Sequence, residues 1–150
     1  MNKSQDITDT IHLYKSHNVY NHLSKDDVAQ HILPSVALNQ YKVFRYDNTG
    51  VAYAFTNWAF LNNDIEKNYK QTGVLNKFDW DSGKNCWHID TVNTAYNKLT
   101  EIYNWTASYF SKILTDDEYF NWLRLDNTGQ KVKRINKLKA SNGKRKFLKE

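Results

Sequence analysis

Tyr41-Lys42-Val43-Phe44-Arg45-Tyr46-Asp47-Asn48-Thr49-Gly50-Val51-Ala52-Tyr53-Ala54-Phe55-Thr56-Asn57-Trp58 is the stretch on which the fold class turns. β-Branched and aromatic runs flank Asp47-Asn48-Thr49-Gly50, residues suited to a tight turn, and this predicts two antiparallel strands over 41–46 and 51–58. Upstream, Ile7, Ile11, Leu13 and Tyr14 recur near helical spacing in Ile7–His17, with Asn18 as a stop. Ser24 followed by Asp26 and Asp27 supplies an N-cap with acids in the first turn. It opens a second helix whose Val28, Ile32, Val36 and Ala37 share a face and which Pro34 is expected to kink or break.

Downstream, Leu61–Thr72 is polar and reads as helix, Trp80-Asp81-Ser82-Gly83 as loop, and Cys86–Val92 as strand. Leu99, Ile102, Tyr103, Ala107 and Phe110 make one helical stripe along Thr94–Leu114. Tyr119–Asp126 and Lys131–Leu138 flank Asn127-Thr128-Gly129 as a second hairpin. Helices, hairpin, helix, strand, long helix and hairpin in that order predict an α+β domain, a mixed sheet with helices packed on it. No internal repeat interrupts the pattern.

The chain has 150 residues, 40% hydrophobic and 15% aromatic, with one Pro and five Gly, which fits one globular domain and excludes a low-complexity chain. A single cysteine, Cys86, excludes an internal disulfide framework and a cysteine-built zinc site and fits a reducing compartment. No apolar run reaches the roughly 20 residues of a spanning helix, and the polar start Met1–Asp9 lacks the layout of a signal peptide. A cytoplasmic location is the expectation. The net charge of +5 conceals a polarity: residues 1–129 carry 12 basic and 15 acidic side chains, residues 130–150 carry 9 and 1. Such an end attracts an acidic partner, whether nucleic acid, anionic membrane or acidic protein, or is simply a solvated terminus.

Five histidines, His12, His17, His22, His31 and His88, are the side chains that titrate near neutrality, so a general base is sought among them. Zinc is disfavoured because the His12/His17 and His17/His22 spacings of five rotate ligands apart on a helix. Asp90 ends the aromatic strand that follows Trp80-Asp81-Ser82-Gly83. Spacing leaves it two roles: capping a helix that starts near Thr94, or orienting a histidine as an acid does in hydrolytic triads. Asp47 and Asp126 each open an Asn-Thr-Gly turn and read as turn residues, and Cys86 inside a strand reads as a small buried hydrophobe. No Gly-x-x-x-x-Gly-Lys-Ser/Thr or Gly-x-Gly-x-x-Gly loop is present, so no nucleotide-bearing cofactor is expected.

Leu33-Pro34 with Asn39-Gln40-Tyr41, Asp47-Asn48 with Val51-Ala52-Tyr53 and Trp58-Ala59, then Asp79-Trp80 through Ser82-Gly83 to Trp87-His88-Ile89-Asp90 form one ordered set. The set resembles the RTX toxin-activating lysine acyltransferases, the family that includes the hemolysin-activating protein, over about Tyr14–Asp90. Leu123-Arg124-Leu125-Asp126 continues it. The resemblance implies a GNAT-like fold, with an acyltransferase-like domain over 1–138 and a basic tail over 139–150. It further implies fatty acyl transfer from acyl carrier protein, without a bound cofactor, to internal lysines of an RTX protoxin in the cytoplasm, commonly by a homodimer. A histidine and an aspartate are the implied catalytic pair. The aspartate falls on Asp90 without a gap, which moves the choice of role away from the cap.

The family's Ser-x-x-His element, aligned ungapped from Leu33-Pro34, falls on His17-Asn18-Val19-Tyr20 and puts Tyr20 at the histidine position. A two-residue gap before Pro34, in a loop where length changes cost little, brings His22 there instead, and His22 is the expected base. After Asp90 the family continues Trp-x-Ala-Pro-Phe-Gly, whereas this chain has Thr91-Val92-Asn93-Thr94-Ala95-Tyr96. These departures carry a second reading, a catalytically silent relative that binds a carrier protein or a toxin-like partner. A nucleic-acid module driven by the basic end ranks last, since it leaves the Asp90 segment unexplained.

Overall fold

A computed structural model describes residues 2–18, 20–115, 117–125, 132–139 and 147–149. The hairpin forms where the sequence places it. β1 (Tyr41–Arg45) and β2 (Ala52–Leu61) pair antiparallel with Val43 opposite Phe55 and Phe44 opposite Ala54. The turn closes through Gly50 N–H to the Tyr46 carbonyl (2.8 Å) and Tyr46 N–H to the Val51 carbonyl (3.0 Å). Gly50 has φ 73°, a left-handed conformation that a side chain would strain.

Two helices precede the hairpin, α1 (Lys3–Ser16) and α2 (Lys25–Ala37). Asn2 caps α1 by accepting from Gln5 N–H, and Ser24 with Asp27 forms a reciprocal capping box on α2. Pro34 does not break α2. It sits in the last turn, the Leu38 N–H still bonds its carbonyl (3.2 Å), and the helix runs on to Ala37 before the chain turns away through Leu38 and Asn39, φ 58°. The rest of the chain is α3 (Asn63–Thr72), β3 (Asn85–Asn93), α4 (Leu99–Ile113), β4 (Tyr119–Leu125), β5 (Val132–Lys139) and β6 (Phe147–Lys149). The turn expected over 127–129 and most of the expected tail over 139–150 lie outside the described residues.

The protein is therefore α+β with a mixed, mostly antiparallel sheet: β3 and β4 run parallel, while β1/β2, β4/β5 and β5/β6 run antiparallel. Contacts divide the chain into one unit of Met1–Trp58 with Asp90–Leu99 and another of Ala59–Ile89 with Thr100–Glu150, so β2 and β3 give a length to each.

In the first unit, Leu13 and Tyr14 of α1 and Val28 and Ile32 of α2 close on Val43, Phe55 and Val92 of the strands. Each large side chain fully withdrawn from water contributes roughly 1.5–3 kcal/mol to this layer. Arg45 ties α1 to the hairpin, its guanidinium bonding Asp6 and Asp9 at 2.8 Å each and the Gly50 carbonyl at 3.1 Å. The helix expected from Thr94 starts later, because Thr94 bonds the Tyr53 carbonyl through both N–H (2.9 Å) and hydroxyl (2.8 Å). A short 3₁₀ turn, Tyr96–Lys98, then leads into α4.

In the second unit, Tyr69 of α3 meets Trp87 of β3 edge-on, ring centroids 5.5 Å apart, and the Trp87 indole N–H donates to Glu66 at 2.7 Å. Phe110 of α4 stacks on Phe120 of β4 at 4.2 Å. The Cys86 thiol is buried, which pushes its pKa up and leaves it an unreactive core group. Gly83 passes against the end of β2 so closely that a Cβ on it would lie 2.5 Å from Asn62 Cα and 2.7 Å from the Leu61 carbonyl carbon. Gly83→Ala is expected to lower stability by about 1–3 kcal/mol, read as a fall in thermal midpoint of roughly 2–4 °C per kcal/mol. An unchanged midpoint contradicts the close approach.

Candidate active site

Asp90 lies within β3, and the polar residues around it come from three other elements of the first unit. Thr56 and Asn57 are the polar interruption in the otherwise apolar strand β2, and both are buried. The Thr56 hydroxyl bonds the Asp90 carbonyl at 3.0 Å and lies 3.2 Å from the Thr91 hydroxyl. The Asn57 side-chain oxygen accepts the Asp90 N–H at 3.0 Å, while its amide nitrogen donates to the Ser35 hydroxyl of α2, also at 3.0 Å. Ser35 in turn donates to the Ile32 carbonyl at 2.8 Å. A buried asparagine thus fixes the strand that carries Asp90 and the helical turn next to His31, each of its two ends meeting a partner.

The Asp90 carboxylate is only about 20% exposed. Tyr14, wholly buried on α1, donates its hydroxyl to Asp90 Oδ2 at 2.9 Å. Tyr20, in the turn between α1 and α2, packs its ring on Tyr14 with centroids 5.3 Å apart. His31 on α2 brings Nδ1 to 4.0 Å from the same Oδ2, an ion-pair distance that is beyond hydrogen-bond length.

Burial drives the Asp90 carboxyl above its ordinary value, and the Tyr14 hydroxyl and the charge that His31 can carry oppose this rise. Burial, then the charge of Asp90, raises the Tyr14 phenol well above 10. The same two causes push Tyr20 up to about 12. Both phenols stay neutral at physiological pH, and Tyr14 serves as a fixed donor to the carboxylate.

Of the residues expected from the sequence, Asp90 and Tyr20 come together. Among the described residues Asp90 caps no helix: Ala95 opens the 3₁₀ turn without a side-chain cap, and the Asn93 side chain accepts the Ala95 N–H at 2.9 Å in the turn before it. His22 is exposed on the α1–α2 turn, whose carbonyls at Asn21 and Leu23 are both bonded by the Lys15 ammonium, and among the described residues no interaction joins His22 to Asp90. Sequence reading passed over Tyr14, which looked like one more apolar residue of a helical stripe, and Asn57, whose signal was a polar residue inside an apolar strand. Among the described residues no group of three or more His, Cys, Asp or Glu side chains gathers as for a metal ion.

Residues 1–139 match the sequence model of the HlyC family, described as the RTX toxin acyltransferase family. The chain belongs to this family. It is 26% identical over 109 residues to the uncharacterized protein sll0720 of Synechocystis sp., covering 72% of this chain and 71% of that one. It is 30% identical over 100 residues to the RTX-I toxin-activating lysine-acyltransferase ApxIC of Actinobacillus pleuropneumoniae, 66% of this chain and 54% of ApxIC, so the match spans about half of that relative. All the residues around Asp90 lie inside the span matched to the RTX toxin acyltransferases.

A carboxyl whose pKa is raised in the fold destabilises the fold when ionised. The penalty is absent below the unfolded value of about 3.9 and complete above the folded value. Asp90→Asn, which keeps an acceptor for Tyr14, is therefore expected to raise the thermal midpoint at pH 7 and to lose that gain near pH 3.5. A gain independent of pH, or a loss at pH 7, contradicts the burial of an ionisable Asp90.

Proposed function

We propose that the protein transfers a fatty acyl group from acyl carrier protein to the ε-amine of internal lysines in an RTX protoxin, in the cytoplasm, without a bound cofactor. The reading rests on one observation above others: a withdrawn carboxylate, on a strand whose backbone N–H an asparagine accepts, is met by a tyrosine hydroxyl and sits beside an exposed imidazole. Its family and its similarity to the toxin-activating lysine-acyltransferase ApxIC support the acyl-transfer class.

A substrate lysine with pKa about 10.4 is mostly protonated at neutral pH and attacks a thioester only after giving one proton to solvent; the neutral amine then needs a group that takes a second proton from its nitrogen as the C–N bond forms. Asp90 orients the ring that does this and stabilises the imidazolium. Tyr20 walls the site next to Tyr14. Acyl carrier protein presents its thioester on phosphopantetheine without a nucleotide, which agrees with the missing phosphate-binding loop, and its acidity suits the basic residues over 130–150.

A second reading has its own support. Tyr20, which takes the histidine position in the ungapped alignment, is the ring packed against Tyr14, and a phenol with a pKa of about 12 is a poor base at neutral pH. A chain using Tyr20 there would bind carrier protein or toxin and transfer nothing.

Incubation with fatty acyl carrier protein and an RTX protoxin, followed by mass spectrometry of the toxin, separates the two. The expected result is acylated lysine, with the rate reduced about 10²–10⁴-fold in Asp90→Ala. Binding of carrier protein with no transfer from any acyl chain length contradicts the acyltransferase proposal.

A further inference from the structure

We infer that His31, rather than His22 or Tyr20, is the imidazole that works with Asp90, a role resting on the acyl-transfer reading above. Three observations carry it. His31 presents Nδ1 to Asp90 Oδ2 at 4.0 Å, which leaves Nε2 as the ring atom free to meet a substrate. The ring is 56% exposed while its carboxylate partner is about 20% exposed, so an incoming amine reaches the base and not the acid. The distance between them is also built in: the Ile32 carbonyl, Ser35, Asn57 and the Asp90 N–H form an unbroken series of hydrogen bonds from the residue after His31 to the residue it faces. Among the described residues His22 has no such connection, and its turn is anchored on both sides by Lys15.

Among the described residues the groups facing the Asp90 carboxylate are then Tyr14 from α1, Tyr20 from the following turn and His31 from α2. A neutral phenol offers no basic site, whereas the imidazole Nε2 carries a lone pair that can take a proton. In the transfer, the lysine nitrogen attacks the thioester carbonyl carbon and a C–N bond forms. Nε2 takes one proton from that nitrogen, and the C–S bond breaks. The departing carrier-protein sulfur takes the proton from Nε2, so acyl thioester and amine become amide and thiol with His31 and Asp90 restored.

The test has two arms on the full chain. His31 is exposed, so His31→Ala spares the core, and it is expected to lower the transfer rate about 10²–10⁴-fold with partial recovery on adding free imidazole. A full rate in His31→Ala, or the loss appearing in His22→Ala instead, overturns the assignment. The second arm needs no substrate: nitrogen-15 NMR of the labelled histidines is expected to show His31 as the Nδ1–H tautomer, a preference abolished in Asp90→Ala. A tautomer unaffected by Asp90→Ala overturns the pairing whatever the transfer assay gives. A responsive His31 in a protein that acylates nothing supports the pairing and overturns the choice of acyl transfer.

Discussion

The hydrogen bond from the Tyr14 hydroxyl to Asp90 Oδ2 is the interaction around which the first unit is organised. A carboxylate withdrawn from water is unfavourable unless its oxygens are met by donors. Tyr14 meets one from the middle of a hydrophobic layer, its ring packed between Tyr20 and Phe55 and its hydroxyl turned to the acid. The same side chain is thus both core and polar anchor. The packing of α1 on the strands fixes where Asp90 is held, and conversely the acid restricts how α1 can dock.

Asn57 plays the complementary part on the backbone. It occupies a fully buried position of β2, and its two ends reach β3 and α2. Removing one partner of such a series leaves the others unsatisfied, which costs more than any one bond contributes. The arrangement trades stability for geometry: an ionisable acid with a raised pKa and a buried amide are both retained where hydrocarbon would be easier to bury. Such residues are expected where a side chain must be held for chemistry.

Local signals made much of this legible. Turn chemistry at Asp47–Gly50 gave the first hairpin, Ser24 with its acids gave the start of α2, and the aromatic strand before Asp90 gave both β3 and the acid. Elements set by distant partners were harder to read. β2 continues past Trp58 to Leu61 because Phe60 bonds the Trp80 carbonyl and the Ser82 N–H, residues whose arrival cannot be inferred from the strand itself. Likewise α4 starts late because Thr94 is held by Tyr53. Pro34 reads as a kink or break in α2, but it lies inside the helix, where a missing N–H in the final turn removes only one hydrogen bond and the helix ends soon after of its own accord. The site shows the same division. Asp90 follows from its motif, whereas the nearness of His31 to it arises from how α2 packs and leaves no mark in spacing along the chain.

The central claim is that Asp90 is an acid held out of water by Tyr14 yet kept ionisable. Carbon-13 NMR of the side-chain carboxyls across a pH titration tests it most directly. The account predicts that the Asp90 resonance titrates above the ordinary aspartate value of about 3.9, and that its midpoint climbs further in Tyr14→Phe. A midpoint at or below the ordinary value, indifferent to the loss of the Tyr14 hydroxyl, would contradict it.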